Sequence, residues 1–395
     1  MSSAYLAGIA VALNQFKVPP VMQFLVNQLN VDLTTGGWLM SSFAVTGVIL
    51  GVPAAIVLRK LGPKGSGLTA LGCTLLGSII GALANGPAIL LLGRVVEGIG
   101  LGLITVVSPA VISMWFKPEE RGTPMGIWAS WVPLGSFIMF NLAGPLLKSF
   151  GWQGIWWFGA VIALAAFVLY AAVVVPPPSI DTESRESAGP DISFSSFIFN
   201  PATWMLALAF GAFNFASLAF STWAPTYFSE GLGLDPITAS FDASLTMLAV
   251  IPATIIAGWV LDRIKNRQLV LSLALLIFGI LLLWCFRLGS VGVIVPYALV
   301  LGLIGGFIPT SIFTLAPESM PSPALAGLAL GIISMGQNLG MFLGPPAVGA
   351  FVAGGNWVAG VIPIGIVMAI GLVVSFLLHL KRAKPTSALY DESVL

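Results

Sequence analysis

Hydrophobic positions in this chain fall into long unbroken runs separated by brief polar interruptions. Twelve runs stand out: 4–26, 36–58, 66–84, 87–113, 122–147 and 152–175, then 201–228, 237–261, 268–286, 290–314, 324–353 and 357–380. Each is close to the roughly 20 apolar residues that carry a helix across a bilayer. A membrane β-barrel needs segments of about ten residues alternating polar and apolar, and these runs are longer and continuously apolar. Most interruptions are too short to hold a soluble domain, so neighbouring helices run antiparallel. One is longer: Pro176-Pro177-Pro178 leads into the polar stretch SIDTESRESAGPDISF, which has no apolar periodicity and reads as a linker. The pattern predicts an all-α membrane protein of twelve spans, in a six-span half over 1–175, a linker over 176–200 and a second half over 201–395.

The halves repeat one another. Gly126, Gly135 and Trp152 recur as Gly331, Gly340 and Trp357, shifted by 205 positions, and Asn14 is echoed by Asn214. The polar turn Arg59–Lys64 recurs as Asp262–Arg267, shifted by 203. The common order and offset point to a six-plus-six duplication, an arrangement that places a substrate site near the midplane between parallel halves.

Composition sharpens this picture. Charged residues make up 8% of the 395 positions and apolar ones 57%, too few charges to cover a soluble surface, so lipid is the solvent. The net charge of +1 gives no reason to expect nucleic acid. Counting sides alternately, twelve of the 16 lysines and arginines fall on the side of the N-terminus: Arg59, Lys60, Lys64, Lys117, Arg121, Arg185, Arg263, Lys265, Arg267, Lys381, Arg382 and Lys384. Lys148 and Arg287 fall on the other. This bias places both termini in the cytoplasm of a multi-pass protein of the cell (inner) membrane. The N-terminus has no charged leader and no clear cleavage site, so the first span is retained. Cys73 and Cys285 sit in different halves without a CxxC or metal pattern and read as packing residues. His379 reads as an interfacial residue.

The two remaining cations, Lys17 and Arg94, lie inside apolar runs, where a charge is costly unless it faces a partner or a wet cavity. Lys17 stands mid-span beside Pro19 and Pro20, which free backbone carbonyls and kink the helix. Its ammonium is expected to attract an anion within an aqueous vestibule; the alternative is a lysine snorkelling to an interface. Arg94 has Glu97 three residues on, so the two form either a local ion pair or a coupling unit in which Glu97 takes up a proton. Asp242 is the only other acidic residue clearly inside a run.

Gly258-x3-Asp262-Arg263-x3-Arg267 and Arg94-x3-Gly98-x-Gly100 resemble the basic loop and the helix-4 arginine motif of the major facilitator superfamily, and the resemblance extends over essentially the whole chain. It implies alternating access by two rocking halves, with Asp262 and Arg263 helping to close the cytoplasmic side. It also implies that spans 1, 5, 7 and 11 line the cavity. On that basis Asn14, Gln15, Asn214, Ser217, Gln337, Asn338 and Trp131 are candidate substrate contacts beside Lys17. If spans 5 and 8 face one another, as in that family, Lys148 and Asp242 form an outer gate. Gly331-x8-Gly340-x3-Gly344-Pro345 resembles the antiporters' glycine-proline motif, but in span 11 rather than span 5; it marks span 11 as a bending element or as a tightly packed one.

Among branches, Trp38–Ala44 and Glu120–Trp128 resemble bacterial permeases for cyanate, nitrate-like or organic anions, although the arginines that nitrate porters carry in spans 2 and 8 are missing from those interiors. The expected function is secondary active transport of a small anionic solute, coupled to protons, by a monomer without enzymatic activity, metal or cofactor. The alternatives are a drug/proton antiporter and a non-transporting sensor. A cation-attracting acid in the cavity would favour the first and an added signalling domain the second.

Overall fold

A computed structural model describes residues 2–50, 53–115, 127–174, 198–320 and 325–378. Residues 175–197, which hold most of the expected linker, lie outside the described residues, as do Lys117, Arg121, Gly126, Arg185 and His379.

The described residues are mostly helical, with ten helices long and apolar enough to cross a membrane; counting two crossings in the Ile127–Val173 helix and one in the shorter Arg267–Leu282 gives twelve. The first crossing is broken. Helix α1 (Ser2–Gln15) stops before Pro19 and Pro20, a 3-10 turn covers Pro19–Val21, and α2 (Met22–Leu29) completes the span. Next come α3 (Leu33–Leu50), α4 (Pro53–Ala82) and α5 (Pro87–Trp115). Helix α6 (Trp131–Val173) contains the fifth and sixth crossings. Gly62 inside α4 and Gly151 inside α6 reverse or redirect the chain within a single residue, at φ 66° and 69°. Residues with a Cβ rarely adopt that region. The second half consists of α7 (Pro201–Glu230), α8 (Pro236–Arg263), α9 (Arg267–Leu282), α10 (Ile294–Gly305) with α11 (Phe307–Glu318), α12 (Ala326–Val352) and α13 (Val361–Phe376).

The duplication is visible in the packing. Helix α3 packs on α12 and α8 on the first arm of α6, which are equivalent pairs when the halves are exchanged. At the end of the bundle away from the N-terminus, Gly144 of α6 meets Ile237 of α8, and Gly349 of α12 meets the backbone of Leu33. These two contacts are related by shifts of 205 and 204 positions, matching the offset in the sequence. Two further contacts tie the halves at this end: Gly37 sits on the backbone of Pro345 and Pro346, and Trp38 packs on Phe342 with ring centroids 4.9 Å apart.

Helices α7 and α12 run parallel along a glycine seam. Gly336, Gly340 and Gly344 lie against the backbone of Ala207, Gly211 and Phe215. Small residues at every fourth position let two helices approach until backbones touch. Of the two readings of this motif, the close-packing one is the geometry found at Gly340 and Gly344. Pro345 contributes a bond within the same half, its carbonyl accepting from Trp223 Nε1 at 2.9 Å.

Candidate functional site

The break in the first crossing creates unsatisfied acceptors. Pro19 has no N–H, so the carbonyl of Gln15 lacks its helical partner, and the carbonyl of Asn14 lies in the last turn of α1. Arg94 fills both positions. Its Nη2 donates to the Gln15 carbonyl at 2.8 Å and its Nη1 to the Asn14 carbonyl at 2.7 Å. Its Nε donates to the carbonyl of Leu39 at 2.9 Å, so one guanidinium fastens three crossings together. The arginine motif's glycines make this reach possible: Gly98 rests on the α3 backbone at Phe43, and Gly100 on Thr74 and Ala70 of α4.

Glu97 lies one turn along α5 and accepts from Arg94 Nη1 through Oε2 at 2.6 Å. Its Oε1 is ion-paired to Lys17 Nζ. Lys17 also donates to Ser78 Oγ at 2.8 Å and Asn14 Oδ1 at 3.1 Å, and its Nζ lies 4.8 Å from the centroid of Trp156. The Ser78 hydroxyl is 2.7 Å from Asn14 Oδ1 and 2.9 Å from Glu97 Oε1. Asn14 Nδ2 is spent on the carbonyls of Ala10 and Gly159. Phe43 covers Arg94, ring centroid to Cζ 4.5 Å. Lys17, Arg94, Glu97, Asn14 and Ser78 are all 0% exposed. The cluster therefore holds two cations and one carboxylate inside the first half, sealed from solvent.

This corrects the sequence reading of Lys17. The ammonium does not face a vestibule; it is locked against a carboxylate, and Asn14 has every polar atom engaged. The partners come from residues up to 80 positions away, and no local pattern announced them. Ser78 and Trp156 were not singled out. The signal that bears on them is glycine spacing: Gly77 packs on Glu97 and Gly93, and Gly81 on Trp156.

The other expected contacts are scattered. Gln15 is buried with its side-chain Oε1 unpartnered. Asn214 and Ser217 on α7 and Gln337 and Asn338 on α12 are half-buried. The two asparagines bond backward on their own helices, to Phe210 and Ser334 at 2.8 Å each. Asn338 also fills the space over Gly47 of α3, in the other half. Trp131 is a correction: it is 3% exposed, packed on Gly8 and Trp128, and belongs to the core between α1 and α6.

The gating residues also need correcting. Lys148 is exposed and makes no ion pair with Asp242, which is buried on α8. Helices α6 and α8 instead meet through Asn141 Nδ2, which donates to Ser244 Oγ at 3.2 Å. Asp262 is exposed and not paired with a basic side chain among the described residues. The ion pair of that turn is Arg267 with Glu318, while Arg263 stacks on Trp259 at 3.8 Å.

The Major Facilitator Superfamily description matches residues 4–326 and 243–392. Among curated relatives, a hexuronate transporter of Bacillus subtilis (strain 168) is 26% identical over 63% of this chain and 59% of its own length. The aligned stretch thus spans less than two thirds of that relative. A probable nitrate/nitrite transporter of Mycobacterium tuberculosis (strain ATCC 25618 / H37Rv) is 25% identical over 81% of each chain. Human sialin is 25% identical over 80% of this chain and 68% of its own. Two solved structures share the fold at 16% identity and 97% coverage of both chains. One is a bacterial homologue of the lysosomal transporter Spinster, inward-facing and occupied, with a TM-score of 0.79; the other is a D-xylose-proton symporter, with 0.75. The chain, with its twelve crossings in two matching halves and a family match along nearly its full length, belongs to the major facilitator superfamily.

Proposed function

We propose that this protein is a proton-coupled secondary transporter of a small anionic solute, working by alternating access. The halves 1–175 and 201–395 rock about a site between them, joined by the linker 176–200, with both termini cytoplasmic in the cell membrane and the monomer as the working unit. The observation that carries the anionic cargo is the set of relatives named as anion transporters; Lys17 and Arg94, which share the one carboxylate of Glu97 inside the first half, meet a solute only in a state that opens that cluster. A buried charge without a counterion is costly, and an anion supplies what the cluster lacks.

The two cations have different duties. Arg94 is tied to three carbonyls and stays in place. Lys17 has no backbone bond and depends on Glu97, Ser78 and Asn14. A proton added to Glu97 removes the counterion of Lys17, and the freed ammonium then favours an incoming carboxylate or similar anion. Proton and anion thereby enter together. Gln15, Asn214, Ser217, Gln337 and Asn338 supply hydrogen bonds from both halves. The relatives named as hexuronate, glycerol-3-phosphate and nitrate/nitrite transporters support an anionic cargo.

Proteoliposomes test this with labelled glucuronate, glycerol 3-phosphate, lactate and nitrate, under an imposed pH gradient and in its absence. At least one anion accumulates with the gradient in the wild type. Glu97→Gln loses gradient-driven accumulation but keeps solute exchange. Accumulation of a neutral sugar in place of every anion, or equal gradient-driven uptake by Glu97→Gln, overturns the proposal.

A further inference from the structure

The second half contains a polar pair that the cluster around Glu97 does not use. Asp242 on α8 is 7% exposed and makes no hydrogen bond or ion pair among the described residues. Thr246, one turn further along, is 8% exposed, and its Oγ1 has no partner. Asp242, Thr246, Ala249 and Ala253 fall at i, i+4, i+7 and i+11, which is one face of a helix. That face meets α10 and α11: Gly302 rests on the backbone of Thr246 and on Ala249, and Gly306 on Ala253. Ile237 and Ser244 lie on a different face, toward α6. Asp242 and Thr246 therefore stand on the face of α8 that packs within the second half, not on the face turned to the seam.

Among the described residues, the elements packed against α8 offer Asp242 no counterion. Tyr297 of α10 gives its hydroxyl to the Leu281 carbonyl, and Tyr227 of α7 to Leu288. Glu230 ends α7, and the Lys148 of α6 is exposed and unpaired. Tyr170, also on α6, sits at the other end of the bundle and donates to Pro63. Glu318 of α11 is paired with Arg267. The 3-10 turn at Pro19–Val21 carries no titratable group, and Lys17 before it belongs to Glu97.

A lone carboxylate in such surroundings is expensive, whereas a carboxylic acid is not. We propose that Asp242 is a second proton-binding site, one per half alongside Glu97: its carboxyl carries a proton when the bundle is closed over it and releases that proton when water reaches α8. The Thr246 hydroxyl then donates to the carboxylate left behind.

The test needs no transported solute, so its failure would leave the anion reading untouched. Infrared spectra of the purified full-length protein in detergent report the carbonyl stretch of a protonated carboxylic acid. At neutral pH the wild type is expected to show this band, Glu97→Gln to retain it, and Asp242→Asn to lose it. Thr246→Val is expected to move its disappearance upward by about one pH unit, since a hydrogen bond to the charged form is lost. Aspartate labelled with 13C in its side-chain carboxyl must shift the band without any substitution, which covers an Asp242→Asn protein that does not fold. Absence of the band in the wild type, its persistence in Asp242→Asn, or insensitivity to aspartate labelling overturns the proposal. Loss of the band when NaCl replaces choline chloride also overturns it and assigns the site to Na+.

Discussion

Arg94 and Gln15 are joined by a bond that a proline makes possible: the guanidinium Nη2 donates 2.8 Å to a carbonyl whose helical donor would have been residue 19. The same guanidinium holds Asn14 and Leu39, so the break in the first crossing is held open by one planar fork. A lysine cannot reproduce that fork. Arg94→Met is expected to cost about 3–5 kcal/mol, because it strands three carbonyls and half of the Glu97 carboxylate. Arg94→Lys should recover the charge and only part of the stability. Thermal unfolding in detergent ranks the three proteins; equal midpoints for Arg94→Lys and the wild type would dismiss the fork.

The charge count of the cluster predicts an asymmetry between its members. Lys17→Met removes one of two cations and leaves the Arg94–Glu97 pair balanced. Glu97→Gln leaves two buried cations facing one another. The second should be more destabilising, by at least about 1–2 kcal/mol, and the double variant should lie closer to Lys17→Met than to Glu97→Gln. A double-mutant cycle on unfolding midpoints measures this directly. The opposite order would mean that Lys17 does not carry its charge in the folded protein.

How much of this was legible in the sequence divides along physical lines. The crossings were, because lipid demands long apolar runs, and the duplication was, because its glycines recur at a fixed offset. Arg94 and Glu97 were placed together correctly by helix spacing alone. Lys17 was not assigned its partner, since Glu97 and Ser78 reach it through tertiary packing at separations of 80 and 61 positions. The Lys148–Asp242 gate failed for another reason. Helices α6 and α8 do adjoin, but Asp242 lies on the face of α8 that meets α10.

The glycine seam makes a sharper claim about individual positions. A Cβ at Gly340 would strike the backbone of Gly211, which cannot swing aside. Gly340→Ala is therefore expected to cost about 1–3 kcal/mol by forcing α7 and α12 apart. Gly331, on the same helix and in the same sequence motif, has nothing within 4 Å. Gly331→Ala should be neutral or stabilising by about 0.5–1 kcal/mol through helix propensity. Unfolding midpoints of the two single variants separate packing from bending: a seam used only as a hinge would make the two substitutions alike.

Gly37 predicts a conformational effect rather than a loss of fold. Its added Cβ would fall 2.6 Å from the Pro345 carbonyl carbon, in the opposite half, while both helices keep their own packing. Gly37→Val should thus disfavour closure of the end away from the N-terminus. Cysteines placed at Trp38 and Phe342, whose rings are 4.9 Å apart, should cross-link several-fold more slowly in that background, with the unfolding midpoint little changed. Undiminished cross-linking would show that α3 and α12 do not separate at this end.

Asp32 gives a pH dependence outside the membrane. Its Oδ1 accepts from the backbone N–H of Thr35 at 2.7 Å, at the start of α3. The Thr35 hydrogen bonds hold its carboxyl below the ordinary aspartate range. The folded state thus binds the proton more weakly than the unfolded one, so the stabilisation is complete above the unfolded value of about 3.9 and fades as pH falls through the lower, folded value. Asp32→Asn, which retains a capping oxygen, should stay near wild type at neutral pH, whereas Asp32→Ala should lose up to about 1 kcal/mol. Because the carboxyl is exposed, screening keeps the effect small. The check is the difference in unfolding midpoint between Asp32→Ala and wild type, taken at neutral pH and again at about pH 3. The difference must shrink in acid; a constant gap would trace it to the lost side chain rather than to its charge.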